Sequence, residues 1–186
     1  MSRPAKRLLI LIVLLLLGLC PLLPYLQRAA AEDPDLPRSA PEFTHRAVDE
    51  WINSKPLRLA DLHGRVVLLD FWTFDCWNCY RSFPWLKELG YKLRDKPFTV
   101  IGVHAPEFAN EYVRDNVVKK AKEFDLHHPV MMDNDFSYWN AMGNRYWPSF
   151  YVIDRDGVVQ AKFFGETHGG DRNARAIEAK ILELLK

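Results

Sequence analysis

The stretch Val66-Val67-Leu68-Leu69-Asp70-Phe71-Trp72-Thr73-Phe74-Asp75-Cys76-Trp77-Asn78-Cys79 decides how this chain of 186 residues is read. From Arg65 to Thr73 the apolar and β-branched residues run without a polar face, so the segment is expected to be a buried parallel strand. Two cysteines two residues apart follow where that strand should give way to a helix, the spacing of a redox pair. One helical turn brings such sulfurs within disulfide distance, and the positive end of the helix favours a thiolate on the first. A structural disulfide or half of a zinc site would share that spacing, so the surroundings have to decide.

Downstream, Phe83, Leu86, Leu89 and Leu93 form an apolar stripe that extends the helix from Cys76 to about Arg94, with a kink expected at Pro84. Phe98 to Val103 reads as a second buried strand, and Ala105-Pro106-Glu107-Phe108 breaks the pattern before a charged helix from about Asn110 to Phe124. A short strand at Pro129 to Met132, a loop at Asp133-Asn134-Asp135 and a helix around Tyr138 to Met142 follow. Phe150 to Ile153 and Val158 to Phe164, joined by Asp154-Arg155-Asp156-Gly157, read as a hairpin, and Arg172 to Leu185 as an amphipathic closing helix. Upstream, Trp51-Ile52 and Leu57-Arg58-Leu59 around a polar turn predict a short hairpin.

The carboxylate of Asp70 is out of place in a central strand: it must be paired or have a displaced pKa. Six residues ahead of Cys76, it is a candidate to receive or relay a proton when the second thiol becomes a nucleophile. His63 reads as an ordinary surface residue beside a turn glycine.

The amino terminus has its own composition. Arg3, Lys6 and Arg7 precede an apolar run from Leu8 to Leu19 that continues less purely to Leu26, the pattern of an export signal or a membrane anchor over residues 1–31. Ala29-Ala30-Ala31 offers a cleavage site before Glu32, while a run extended to Leu26 approaches the roughly 20 residues that span a bilayer. Basic residues before the run and acidic Glu32, Asp33 and Asp35 after it place the rest outside the cytoplasm, periplasmic or held at the inner membrane by the apolar segment. Cys20 lacks the small preceding residue that a lipid attachment needs. Residues 32–41 read as a linker and 42–186 as the folded domain. Without the four basic residues of the first 31, the chain keeps 21 basic against 24 acidic side chains, which leaves no basic footprint for nucleic acid.

The order of strand, Cys-x-x-Cys helix, strand, helix, strand, proline-led hairpin and terminal helix is similar to thioredoxin. In particular the chain resembles the exported, membrane-associated thioredoxin-like (TlpA-like) proteins, nearest to the thioredoxin-like domain of the DipZ type of disulfide reductase. The residues that carry the likeness are Asp70-Phe71-Trp72, the cysteine pair, Gly102-Val103-His104-Ala105-Pro106-Glu107-Phe108, Asp133-Asn134-Asp135 and Gly143-Asn144-Arg145-Tyr146-Trp147-Pro148. The resemblance implies an α/β thioredoxin fold with an amino-terminal β-hairpin extension and a central insertion. It implies Cys76 as attacking nucleophile, Cys79 as buried resolving thiol, Asp70 as the buried thioredoxin carboxylate and Pro148 as a cis-proline facing the pair. Trp72, Trp77, Trp147 and Glu107 are expected to line the substrate site, with His104 shaping the cleft. The implied activity is reduction of disulfides in exported cysteine-containing proteins, with electrons from a membrane donor and no cofactor beyond the Cys76–Cys79 pair. Cytochrome c maturation is one setting for such a reductase, although Ser82 stands where some of those relatives carry a glutamate.

Two departures from thioredoxin bear on direction. Asp75 stands where thioredoxin has tryptophan, and Trp77-Asn78 replaces Gly-Pro between the cysteines. The acid opposes a thiolate on Cys76 while the helix terminus favours one, so an oxidase or isomerase of the same fold is an alternative. A copper- or zinc-binding module using the two thiols with His104, His127 and His128 is a second. No phosphate-cradling glycine spacing and no flavin or nicotinamide motif is present.

Overall fold

Seven consecutive residues that cannot face water fix the centre of the molecule. In a computed structural model describing residues 35–186, Val66–Trp72 form strand β3, and none of the seven is more than 1% exposed. The expected signal or anchor at 1–31, Cys20 with it, and residues 32–34 lie outside the described residues. Among the described residues, no helix is long and apolar enough to cross a membrane.

In chain order the regular elements are β1 (Arg38–Ser39), β2 (Trp51–Ile52), β3, α1 (Trp77–Lys92), β4 (Phe98–His104), α2 (Arg114–Glu123), β5 (Val130–Met132), α3 (Ser137–Ala141), β6 (Ser149–Ile153), β7 (Val158–Phe164) and α4 (Arg172–Leu184). They build one seven-stranded sheet in the order β1-β7-β6-β3-β4-β5-β2. β3, β4 and β5 run parallel, joined by helical crossovers, while β6 and β7 add antiparallel on the other side of β3.

Strand alternation divides the core in two. Val66, Leu68 and Trp72 face a cluster with Cys79, Phe83 and Leu86 of α1, Val117 and Ala121 of α2, and Ile177 and Ile181 of α4. Val67, Leu69 and Phe71 face the other, with Phe43, Trp51, Tyr138, Trp139 and Tyr151. The apolar stripes expected on α1 and α4 are thus the faces that seal the first cluster, and α1 runs continuously through Pro84.

Three local expectations are corrected. Trp51-Ile52 does not pair with Leu57-Leu59: it adds antiparallel to β5, with Trp51 opposite Met131, and Leu59–Leu62 is a 3-10 turn. Trp51 is only 1% exposed and sends its indole N–H to His45 O, so burial at the sheet edge outweighs a local turn. Residues 38–40, read as linker, belong to the sheet: Arg38 and Ser39 pair with Val159 and Val158, and Ala40 N–H donates to Gly157 O. The charged segment at 110–124 is a 3-10 turn, Ala109–Tyr112, followed by α2, with Val113 in extended geometry between them.

Candidate redox site

The site begins at the carboxyl end of β3. Thr73 to Asp75 carry the chain off the sheet, and Cys76, in extended backbone geometry, is the N-cap of α1. Its Sγ accepts the Cys79 N–H at 3.1 Å, one of the donors that a helix start leaves open. Cys76 and Cys79 are joined as a disulfide with a Cα–Cα distance of 5.3 Å. Cys79 is fully buried, whereas Cys76 is half-buried, so only the first sulfur of the pair is presented to a partner. Ser82, also buried, anchors the next turn: its hydroxyl donates to Asn78 O and accepts the Thr167 N–H.

Asp70 lies on the face of β3 that packs against α1, and its Oδ2 has no hydrogen-bond partner. Burial pushes its pKa up to about 8. Across the ladder its neighbour is Gly102, where a Cβ would come within 3.0 Å of Trp72 Nε1 and 3.1 Å of His128 Nε2. Any side chain there would press on two rings, which would have to give by a few tenths of an ångström.

Trp72 does not line the surface, as the sequence suggested. It is fully buried on the Asp70 face, with its ring edge-on to Phe83 and His104. His104 is likewise in the core, not at the cleft. It is stacked beside Phe74, its Nε2 is 3.5 Å from Thr73 Oγ1, and burial pulls its pKa down to about 4, so it is neutral at physiological pH.

Sequence reasoning missed Glu111, which it placed on a charged helix. Its carboxylate has no exposure and accepts the Asp75 N–H at 2.9 Å on one oxygen and those of Glu107 and Phe108 at 2.6 and 2.7 Å on the other. Burial would raise its pKa, but hydrogen bonds from the Thr73 hydroxyl and these backbone N–H groups outweigh it and hold the carboxyl below its usual range. The one local signal was a glutamate three residues after an N-cap position, Phe108, at the start of a 3-10 turn. Asp75 is held a second time, its Oδ2 accepting from Asn110 Nδ2.

The Trp147–Pro148 peptide is cis, as the resemblance implied, and Trp147 lines the same groove as Cys76. Its loop is held from below: Ser149 Oγ and Asn144 Nδ2 donate to Tyr146 O, and Tyr151 OH donates to Asn144 Oδ1. Trp147 donates its indole N–H to Ala105 O and packs on Trp139 at 4.3 Å. Between this loop and the disulfide lies a groove of about 450 Å³ lined by Asp75, Cys76, Trp77, Asn78, Glu107, Phe108, Arg145, Tyr146 and Trp147. A second hollow of about 420 Å³, with Tyr80, Glu123 and Phe124, opens on the other side of Cys76 and Trp77. Trp77, Phe108 and Tyr146 are 66%, 51% and 57% exposed, an aromatic rim around one sulfur. Trp77, Trp147 and Glu107, expected at the substrate site, line the same groove as Cys76.

The donors considered for copper are not brought together. His127 and His128 line a different groove, with Lys87, Tyr91 and Asp125, and the cysteines are not part of its wall. Among the described residues, the group with metal-ligand geometry is His45, Asp133 and Asp135, and Asp133 there already accepts the Tyr138 and Trp139 N–H groups.

Comparison with known proteins agrees with this geometry. Residues 38–179 match the Redoxin family. The chain is 40% identical over 150 residues to Protein DipZ of Mycobacterium tuberculosis, covering 79% of this chain and 21% of that protein. It is 31% identical over 138 residues to the thiol-disulfide oxidoreductase ResA of Bacillus cereus, covering 74% and 75%. Among solved structures, a thiol:disulfide interchange protein DsbE from Chlorobium tepidum superposes with a TM-score of 0.69 at 26% identity, covering 84% of this chain and all of that one. The chain spans about a fifth or less of the length of the first curated relatives it matches.

Proposed function

The chain belongs to the Redoxin family and is a thiol-disulfide oxidoreductase with its redox pair at Cys76 and Cys79, and from that premise we propose that it acts outside the cytoplasm as a reductase of disulfides in exported proteins. The observation that carries the proposal is the asymmetry of the pair: Cys76 opens into an aromatic-rimmed groove while Cys79 is sealed beneath it. In the dithiol form, the Cys76 thiolate attacks one sulfur of a client disulfide, forming a mixed disulfide and expelling the other client sulfur as thiolate. Asp70 takes the Cys79 proton, and Cys79 then attacks Cys76 Sγ and expels the second client thiolate. Two electrons pass to the client, and the pair is left as the disulfide of this structure. A carboxyl whose pKa is about 8 is partly ionised near neutrality and can accept that proton.

The reducing direction is supported by the acids at the groove, Asp75 and Glu107, which oppose the thiolate-rich state of a strong oxidant. The compartment is supported by the amino-terminal pattern of basic residues, apolar run and following acids, which also supports a membrane-held electron donor as partner. The fold itself supplies the electron carrier, the cysteine pair.

Cys79→Ser is expected to accumulate client proteins covalently bound through Cys76, identifiable after non-reducing separation, whereas Cys76→Ser captures none. Capture by neither variant would refute the client reading. Equilibration with glutathione tests the direction: a pair that stays largely reduced in buffers oxidising enough to keep glutathione disulfide in excess would be an oxidase instead.

A further inference from the structure

Glu111 ties together two stretches of chain that are 32 residues or more apart in sequence yet both line one groove. One oxygen takes the N–H of Asp75, the residue that leads into Cys76, and the other takes those of Glu107 and Phe108. Asp75, Cys76, Glu107 and Phe108 all line the groove into which the reactive sulfur opens, but Glu111 does not. Local helix capping accounts for the Phe108 bond alone, since a capping glutamate bonds to its own N-cap. The bond to Asp75 links two of the stretches that wall the groove and has no role in the 3-10 turn. A carboxylate is suited to this position because it accepts from three N–H groups at once, which no neutral side chain does.

We propose that Glu111 is a positioning residue for client binding: from beneath the groove it fixes the distance between the wall that carries Cys76 and the wall formed by Glu107 and Phe108. The inference rests on the reading that clients lie in this groove. It separates two properties of the site. The sulfur chemistry needs Cys76, Cys79 and Asp70, whereas the grip on a polypeptide flanking the disulfide needs both walls in register. A small disulfide that reaches Cys76 without spanning the groove does not depend on the second wall.

The test uses the pre-reduced protein and its Glu111→Gln form in single turnovers. One oxidant is an extended disulfide-bridged peptide with residues on both sides of each cysteine, and the other is bis(2-hydroxyethyl) disulfide. Glutamine keeps the volume and one acceptor oxygen but places an N–H₂ group against a backbone donor. The half-saturating peptide concentration is expected to rise about tenfold, with the limiting rate and the rate with the small disulfide changed at most about twofold. Glu111→Asp, which keeps both oxygens, should recover part of the loss. A parent protein that shows no saturation with the peptide refutes the groove reading itself. If the parent saturates and Glu111→Gln saturates at the same concentration, or loses rate equally with both oxidants, the positioning role is overturned while the groove reading stands. A melting temperature measured for each variant identifies equal losses that come from unfolding.

Discussion

Asp70 and Glu111 are the same functional group, buried to within 1% of each other beside the same disulfide, and they titrate in opposite directions. Neither side chain meets solvent, yet Asp70 lies deeper than Glu111, and the two differ in donors as well. Burial is the sole influence on Asp70, whose Oδ2 has no partner, and its pKa goes up to about 8. Glu111 meets three backbone N–H groups and the Thr73 hydroxyl, and its pKa goes down. Asp133, also without exposure and intermediate in depth, lies between: it accepts the Tyr138 and Trp139 N–H groups, but burial still outweighs them and its pKa is raised. Depth and donor count together decide which carboxyl can exchange a proton near neutrality and which stays a fixed anion. On the proposed mechanism the redox site uses one of each, Asp70 as proton acceptor for the resolving cysteine and Glu111 as a permanent clamp on the stretch that leads into the attacking one.

The largest expected effect follows from Asp70. Its folded pKa of about 8 lies above the unfolded value of 3.8, so its contribution to stability is fully present below about pH 4 and is lost as pH rises through 8. At about 1.4 kcal/mol per pH unit across that window, ionisation costs the folded state about 5 kcal/mol at pH 8 and about 6 kcal/mol well above it. Asp70→Asn cannot ionise. Urea denaturation should therefore show the variant matching its parent near pH 4 and exceeding it by a few kcal/mol at pH 8.5, although the variant resolves mixed disulfides more slowly. A gap that stays constant with pH would mean that Asp70 is not a buried acid of raised pKa.

How far the sequence revealed these two residues depends on the range of the interactions that define them. Asp70 was legible because its anomaly is local: a carboxylate amid Val66, Val67, Leu68, Leu69 and Phe71 has to be buried, whatever the tertiary structure. The fold was legible for a similar reason, since β3, β4, α1 and α4 each carry a continuous apolar run or stripe that only this layered arrangement buries. Glu111 was hidden because its burial is created by Asp75, 36 residues away, and by a 3-10 turn too short to show a period. The two-residue strands β1 and β2 escaped for the same reason, their pairing with β7 and β5 being set by distant chain. Trp72 was misjudged through parity: it lies two residues after Asp70 in one strand, so both side chains point into the α1 layer and neither reaches the groove.

Glu111 gives the opposite pH dependence. Its folded pKa is depressed, so its contribution is present above the unfolded carboxyl range and is lost as pH falls through the folded value. Hydrogen bonds to a charged group contribute roughly 1.5–3 kcal/mol, so Glu111→Gln should be about 2 kcal/mol less stable than its parent at pH 7. The difference should close in acid, once the parent's carboxylate is protonated. Set beside Asp70→Asn, the two stability differences have opposite sign at pH 8 and shrink toward the same acidic limit. Two variants that shift stability in the same direction at pH 8 would break the contrast.

The smallest effect comes from a buried polar group that carries no charge, and it isolates what charge adds to the other two. Ser82 Oγ satisfies the N–H of Thr167, a residue with no exposure, while giving its own proton to Asn78 O. Ser82→Ala leaves that N–H buried without a partner, at a cost of about 1 kcal/mol and an upper limit near 3. No proton is gained or lost by serine over this range, so linkage allows the gap no slope. Denaturation from pH 4.5 to 8.5 should give the same difference throughout. A slope would show that the Thr167 contact is coupled to a titrating group, and Asp70 or Glu111 would then no longer titrate independently of the helix that carries the cysteines.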